Sequence, residues 1–465
     1  MTEMYVETVV GPVPASWEIK RLETISEFIT KGGTPTTYGF AWAAEADGIP
    51  FFRSECVTDA GFNPKGMNYI QVEAHLQMSR SEVKPGDLLM TITGNVGRVA
   101  KASEKYETAN INQHIARVRI LEERGASAQY VYHCLRHDGY ATHYRAILTG
   151  QAYPQISLQQ VRETPIALPP FVEQEKIAAI LSSVDAKLDV VDCQVEATQA
   201  LKRGLMQTLF SRGFGMRDED ERWVPHAQFK DSEFGHIPAT WNIRTLESTS
   251  AFITKGGTPT TYGFDWATSE SGIPFFRSEC VTDNGFNPKG MNFIRAEAHQ
   301  QMIRSQVEPG DVLMTITGNI GRVARASADY PIANINQHIA RIRIKDDYDA
   351  EYVYQCLKQD FYAKYYGAIL TGQAYPQISL KQVRETPIPC PPISEQRHIA
   401  KILTDCDLKI ANLRLKHSAY QGLNRLRKYT PPKATSIALR GYRRAIFCIT
   451  KFQRESSLFF DSLRP

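Results

Sequence analysis

The chain lacks most of the features that would assign it a chemistry at once. No apolar run is long enough to cross a membrane, and Met1 to Pro12 has no basic start and carries two glutamates, so neither a span nor a secretory leader is expected. Cysteine is sparse, and the eight residues form neither a zinc framework nor a secreted disulfide pattern, which points to free thiols in a reducing cytoplasm. Charge of one sign is also scarce. Lys and Arg number 54 against 50 Asp and Glu, a net charge of +4, and Tyr429 to Pro465 alone holds seven basic residues against two acidic ones. Any polyanion site in the body of the chain must therefore come from local clustering.

Catalytic signatures are missing too. There is no Walker phosphate loop and no glycine-rich dinucleotide fingerprint after a strand. Leu168-Pro169-Pro170-Phe171 has the proline pair of an amino-methyltransferase site, but leucine cannot accept the hydrogen bond from a target amine.

What the chain does have is a duplication. Phe28 to Phe40 (FITKGGTPTTYGF) reappears unchanged as Phe252 to Phe264, Ile49 to Cys56 as Ile273 to Cys280, and Asn110 to Ala116 as Asn334 to Ala340. Gly150 to Leu158 returns as Gly372 to Leu380, after two residues are lost within the polar segment Leu121 to Gln129. Each copy spans roughly 200 residues, enough to close its own core, so two complete modules are expected and not a stack of short repeats. Cys56 and Cys280 are repeat equivalents, as are Cys134 and Cys356, while Cys193, Cys390, Cys406 and Cys448 have no cysteine counterpart. His133 and His137 beside Cys134 would make half of a metal site, but the second copy puts Gln355 and Gln359 there, which favours an ordinary helix face.

The parts of each copy read in the same order. Strands are expected at Ile49–Phe52, Leu88–Ile92 and Ile115–Ile120, a helix over Tyr130–Thr149, and a closing strand over Ile166–Pro170, which makes the body mixed α+β. Lys31-Gly32-Gly33-Thr34-Pro35-Thr36 is a loop with exposed backbone amides. After Pro169-Pro170 the texture changes to an apolar seam at alternating spacings of three and four: Ile177, Leu181, Val184, Leu188, Val191 and Val195, carried on by Leu201, Leu205 and Leu209 with a slip of frame. The second copy repeats it at Ile399, Leu403, Cys406, Ile410 and Leu413, then less regularly at Tyr420 and Leu423. These are long helices of roughly 50 to 60 Å, and each needs a partner for its seam. The other long helix is the expected partner, and packing on its own module is the alternative.

The polar, amide-rich loops hold the candidate binding residues. In the first copy these are Lys31, Thr34, Thr36, Arg53, Thr93, Asn95, Asn112, Gln113, His114, Gln151, Tyr153 and Gln155. In the second they are Lys255, Thr258, Thr260, Arg277, Thr317, Asn319, Asn336, Gln337, His338, Gln373, Tyr375 and Gln377. Such side chains read base edges and hold phosphates, and any one of them also serves as a turn former or cap.

The order of these motifs resembles the specificity subunit (HsdS) of type I restriction-modification systems over about residues 10 to 428. The resemblance rests on Pro14-Ala15-Ser16-Trp17, Lys31 to Pro35, Ile49 to Arg53, Lys84 to Leu89 running into Thr93 to Gly97, Asn112-Gln113, and Ile166 to Pro170 leading into Glu173 to Ile177, all doubled, with Phe229–Pro238 (FKDSEFGHIP) as the linker. It implies target recognition domains over residues 1–170 and 214–392, held apart in a pseudo-two-fold arrangement by antiparallel spacer helices over 171–213 and 393–428, with a basic tail over 429–465. It further implies double-stranded DNA as ligand, two methyltransferase subunits docked on the spacer, with Ile177, Leu181, Val184, Leu188, Ile399, Leu403, Ile410 and Leu413 as its subunit-binding residues, two motor-nuclease subunits in the full nuclease, and no catalytic site or cofactor in this chain. S-adenosylmethionine, ATP and magnesium would belong to the partners. Two near-identical readers on antiparallel helices imply a near-palindromic interrupted target. The C-terminal end departs from the first copy after Tyr420, where LKRGLMQTLFSRG has no counterpart. A duplicated hydrolase using His114 and His338, or a protein-binding scaffold, are the rival classes.

Overall fold

In the computed structural model, which describes residues 4–8, 11–149, 154–370 and 376–425, contacts divide the chain into two units. One holds the residues up to Cys193 with the helix from Arg414 on, and the other is Gln194–Leu413. Each unit carries one copy of the repeat, and the tail 429–465 lies outside the described residues.

The first copy is built on two four-stranded sheets. In one, Leu88–Thr91 runs antiparallel between Val99–Lys101 and Ile115–Ile120, and the latter also pairs with Ser26–Lys31. In the other, Ile49–Phe52 lies between Asn68–Ile70 and Ala109–Ile111, the second pairing being parallel, and Glu82–Val83 closes the sheet. Leu88 and Met90 enter one core with the helices, while Leu89 points the other way into a second core with Phe52, Val57 and Ile111. A strand covered on both faces carries no polar alternation, which is why this one reads as a continuous apolar run. The second copy repeats both sheets in the same strand order.

The strands Ile49–Phe52 and Ile115–Ile120 form over the expected residues, and Leu88–Thr91 ends one residue early. The span Tyr130–Thr149 is not one helix. It forms Ala128–Leu135 and Asp138–Ala146, broken where His137 takes an extended backbone and its Nδ1 accepts the Gly139 N–H at 3.0 Å. Two short helices aim three buried tyrosines at the closing strand and the residue before it. Tyr130 donates to Ala167 O (2.7 Å), Tyr140 to Pro165 O (2.8 Å), and the Tyr144 hydroxyl meets Thr164 Oγ1 (3.0 Å). The closing strand Pro165–Leu168 pairs with Glu18–Arg21. The linker Phe229–Pro238 is a β-hairpin, and Tyr5–Thr8 on Gly11–Pro14 is its counterpart, so the duplication reaches upstream of Pro14 where sequence identity has faded.

The long helices are Phe171–Arg212 (42 residues) and Ile393–Arg425 (33 residues). The Glu-Gln pair in each first turn does more than answer the helix dipole. Gln174 accepts the Ser127 N–H (2.9 Å) and donates to Gly125 O and Pro169 O, while Gln396 accepts the Asp349 N–H (2.9 Å) and donates to Pro391 O, so each glutamine clips its helix to its module. Both proposed packings of the seam occur. In the second unit Leu209 and Phe210 of the first helix share one core with Ile399 and Leu403 of the second and with the module's own Tyr352 and Val353. The two helices run antiparallel where they meet. Within the first unit Asp192 pairs with His417 and Lys187 lies over the Tyr420 ring, and within the second Lys202 pairs with Asp407 while Leu209 and Phe210 meet Ile399 and Leu403 in one core, so in each unit partners climb one helix as they descend the other. Val184, Val191, Ile410 and Leu413 are buried, and Ile177, Leu181 and Leu188 half-buried. Leu201 is not part of the seam: it is 58 % exposed, and Lys202 takes the inward place.

Candidate nucleic-acid interface

Strand ends bring the polar loops together. Gly32 follows the strand Ser26–Lys31 and passes so close to the neighbouring backbone that a Cβ there would lie 1.8 Å from Ile111 O. The residue is glycine because two stretches of the backbone touch, and that approach sets Thr34 beside Gln113. Thr34 Oγ1 donates to Gln113 Oε1 at 2.7 Å, Gln113 Nε2 meets His114 Nε2 at 3.0 Å, and His114 Nδ1 meets Thr93 Oγ1 at 2.6 Å.

This chain of contacts assigns the protons. With Gln113 Oε1 accepting, its amide nitrogen donates to His114 Nε2, so the imidazole proton sits on Nδ1 and is given to Thr93. The Thr93 hydroxyl hydrogen and the second Gln113 amide hydrogen are not used within this chain of contacts. Asn112 is buried and its Oδ1 accepts the His114 N–H at 3.1 Å, shaping the turn from within. Gln155 bridges Thr93 and Thr149 in short β contacts, and Gly94 N donates to Pro154 O at 2.9 Å, which adds a fourth segment. Asn112 N donates to Phe52 O (3.1 Å), setting Arg53 alongside, where it pairs with Glu55 at 2.9 Å. Lys31, Thr36, Asn95, Gln113 and Gln155 are exposed.

The second copy reproduces the geometry. Thr258 donates to Gln337 at 2.7 Å, Gln337 meets His338 at 3.0 Å, His338 meets Thr317 at 2.6 Å, and Asn336 accepts the His338 N–H at 3.1 Å. Gln377 bridges Thr317, Arg277 pairs with Glu279, and Lys255, Thr260 and Asn319 are exposed. The expected residues Gln151, Tyr153, Gln373 and Tyr375 lie outside the described residues.

Other charged groups nearby are committed to the fold. Arg117 and Arg119 stack on Phe28, 4.2 and 4.7 Å from the ring centroid, and burial holds the Arg117 guanidinium below its usual range. Arg119 also forks onto Asp87 at 2.7 Å, and that hydrogen bond raises it. Burial pushes the thiols of Cys56 and Cys280 up to about 11, so neither is a nucleophile beside its arginine. Arg80 was not singled out by sequence reasoning. It is exposed, and its carbonyl accepts from Thr30 Oγ1 at 3.0 Å, which puts a cation next to Lys31; Arg304 repeats this with Thr254 at 2.9 Å. The contact crosses 50 residues of chain, and no local pattern announces it.

The surface that results is a set of amide and hydroxyl donors flanked by cations, carried twice. A profile of the family described as the type I restriction modification DNA specificity domain matches residues 14–195 and 238–418. The chain is 26% identical over 416 residues to the putative type I restriction enzyme MjaX specificity subunit of Methanocaldococcus jannaschii, covering 87% of this chain and 90% of that one. It is 26% identical over 328 residues to the type I restriction enzyme EcoBI specificity subunit of Escherichia coli, covering 69% and 66%. Its fold is similar to the crystal structure of the type I restriction-modification S subunit from M. genitalium, with a TM-score of 0.58 at 16% identity over 90% of this chain and 96% of that one. With the family profile matching once in each half, along most of both repeats, the chain belongs to the type I restriction-modification specificity subunits.

Proposed function

We propose that this chain is the non-catalytic DNA-reading subunit of a type I restriction-modification complex. Its modules, residues 1–170 and 214–392, each read one half of an interrupted, near-palindromic site in double-stranded DNA. The spacer helices, 171–213 and 393–428, dock two methyltransferase subunits and position two motor-nuclease subunits in the full nuclease. Adenine methylation with S-adenosylmethionine, and magnesium- and ATP-dependent translocation and cleavage, are the partners' chemistry in this reading.

One observation carries it. The Thr34–Gln113–His114–Thr93 chain and its Thr258–Gln337–His338–Thr317 counterpart have the same three contact distances, 2.7, 3.0 and 2.6 Å. Equal donor arrays on equal scaffolds recognise equal base edges, and the antiparallel helix pairing in each unit favours reading them on opposite strands. The hydrolase alternative gains nothing from the geometry. Both ring nitrogens of His114 are occupied, by Gln113 and Thr93, and neither partner is a carboxylate.

Mapping methylated adenines in cells that carry the complete system tests the reading. The expected result is two near-identical short sequences in inverted orientation around a fixed gap. Two unrelated half-sites would refute the symmetric target, and methylation independent of this chain would refute the whole assignment.

A further inference from the structure

The helical turn from Val72 to Ser81 lies outside the polar loops, yet hydrogen bonds, buried on the Asn110 side and exposed on the Thr30 side, bolt it to two of them. His75 Nδ1 meets Asn110 Oδ1 at 2.7 Å, and Asn110 Nδ2 donates to Met78 O (3.1 Å) and Ser81 Oγ (2.6 Å). Asn110 stands on the strand that runs into Asn112-Gln113-His114. On the other side Thr30, next to Lys31, holds the Arg80 carbonyl at 3.0 Å. The second module uses the same clamps: His299 with Asn334 at 2.6 Å, Asn334 with Met302 O and Ser305 Oγ at 3.2 and 2.6 Å, and Thr254 with Arg304 O at 2.9 Å.

The anchors are the same residues in both copies, and so are the exposed Glu73, Gln77 and Arg80 (Glu297, Gln301 and Arg304), but four other outward positions are not. Gln71 becomes Arg295, Val72 becomes Ala296, Leu76 becomes Gln300 and Ser79 becomes Ile303, and none of these eight is buried. By contrast Lys31 to Phe40 on the adjoining loop is identical to Lys255 to Phe264. Leu76 is 70 % exposed and Ile303 is 67 % exposed, so neither serves the core. Each stands beside an exposed arginine with no carboxylate partner among the described residues, Arg80 or Arg304, the neighbour a phosphate backbone requires.

We propose that this turn reads one further base-pair position in each half-site, and that Leu76 in the first module and Gln300 with Ile303 in the second make the two readings differ. An exposed aliphatic side chain suits a thymine methyl, and a glutamine amide matches the paired donor and acceptor on adenine. The target is then symmetric at the positions facing the invariant cluster and asymmetric at the position facing this turn. The inference rests on the DNA-reading role proposed above.

The test exchanges the outward residues. Leu76→Gln with Ser79→Ile gives the first module the second module's residues at the two positions proposed to set the difference, with Gln71 and Val72 kept, and the full chain is expressed with its methyltransferase subunits before methylated sites are sequenced. Two half-sites that differ at one position in the wild type become identical there, with base preference at that position moving about tenfold or more and the others unchanged. The reciprocal Gln300→Leu with Ile303→Ser moves the other half-site. Unchanged melting temperature and methyltransferase binding establish that each variant folds, as expected for exposed positions. Folded variants that methylate the wild-type sequence set overturn the inference while leaving the DNA-reading role in place. Wild-type methylation that does not depend on this chain removes that role itself.

Discussion

Lys31 and Arg80, with Lys255 and Arg304, are exposed cations beside the donor arrays and have no ion pair among the described residues, whereas Arg53 and Arg119 are tied to Glu55 and Asp87. A free cation on a DNA-reading face releases counterions when it meets phosphate, and a paired one contributes less. Replacing Lys31 or Arg80 by alanine is expected to weaken binding of the assembled complex about equally for all DNA sequences and to lower the slope of log affinity against log salt by about 1 per cation. Titrations at several salt concentrations measure this, and a slope unchanged by either substitution would place the DNA elsewhere. The chemical types at this face were legible in the sequence, because Thr34, Gln113 and His114 recur in both copies. Their convergence was not. It depends on Gly32 touching Ile111, a contact between strands far apart in the chain, and on an imidazole whose proton is set by a glutamine.

At the scale of elements, the apolar seam was readable as spacing, and Ile399, Leu403, Ile410 and Leu413 are buried as that spacing implies. The frame slip hid its own meaning. At the slip Leu201 turns out and Lys202 turns in, 7 % exposed, with its ammonium 3.0 Å from Gln355 Oε1 and 2.6 Å from both Asp407 oxygens. Burial, more than any other influence, lowers Lys202 below the usual lysine value of 10.5, despite Asp407. The sign follows from proton counting. Between the folded and unfolded values the unfolded chain binds more protons, so this residue's contribution to stability rises with pH through that window and is least favourable below it. Lys202→Met removes the buried charge while keeping its volume. Its melting temperature is expected to match or exceed the wild type near neutral pH, with a smaller gain on raising the pH toward 10. Asp407→Ala strands the ammonium and is expected to cost about 2 kcal/mol or more. A Lys202→Met protein that melts well below Asp407→Ala would show that the pair is worth more than its desolvation.

At the scale of the whole chain, the duplication carries a mechanical consequence. If the two modules read two half-sites as proposed, they would do so with an effective concentration set by what joins them, and a stiff joint makes that concentration high at one separation and negligible at others. The helix Phe171–Arg212 has 42 residues, roughly 63 Å at about 1.5 Å each, and each unit contains a stretch where the two long helices pair antiparallel, so a helical joint is the expectation to be tested. Moving one half-site by a single base pair shifts it about 3.4 Å and turns it about 35° around the duplex, since a turn takes about 10.5 base pairs. The assembled complex should therefore favour one gap between half-sites. Adding or removing one base pair should cost a large part of the roughly hundredfold or greater advantage that two half-sites hold over one. Competition binding against duplexes that differ only in gap length measures it. Equal affinity across several gaps would mean that flexible linkers, and not the helices, join the two readers, and the spacer role assigned to residues 171–213 and 393–428 would have to be abandoned.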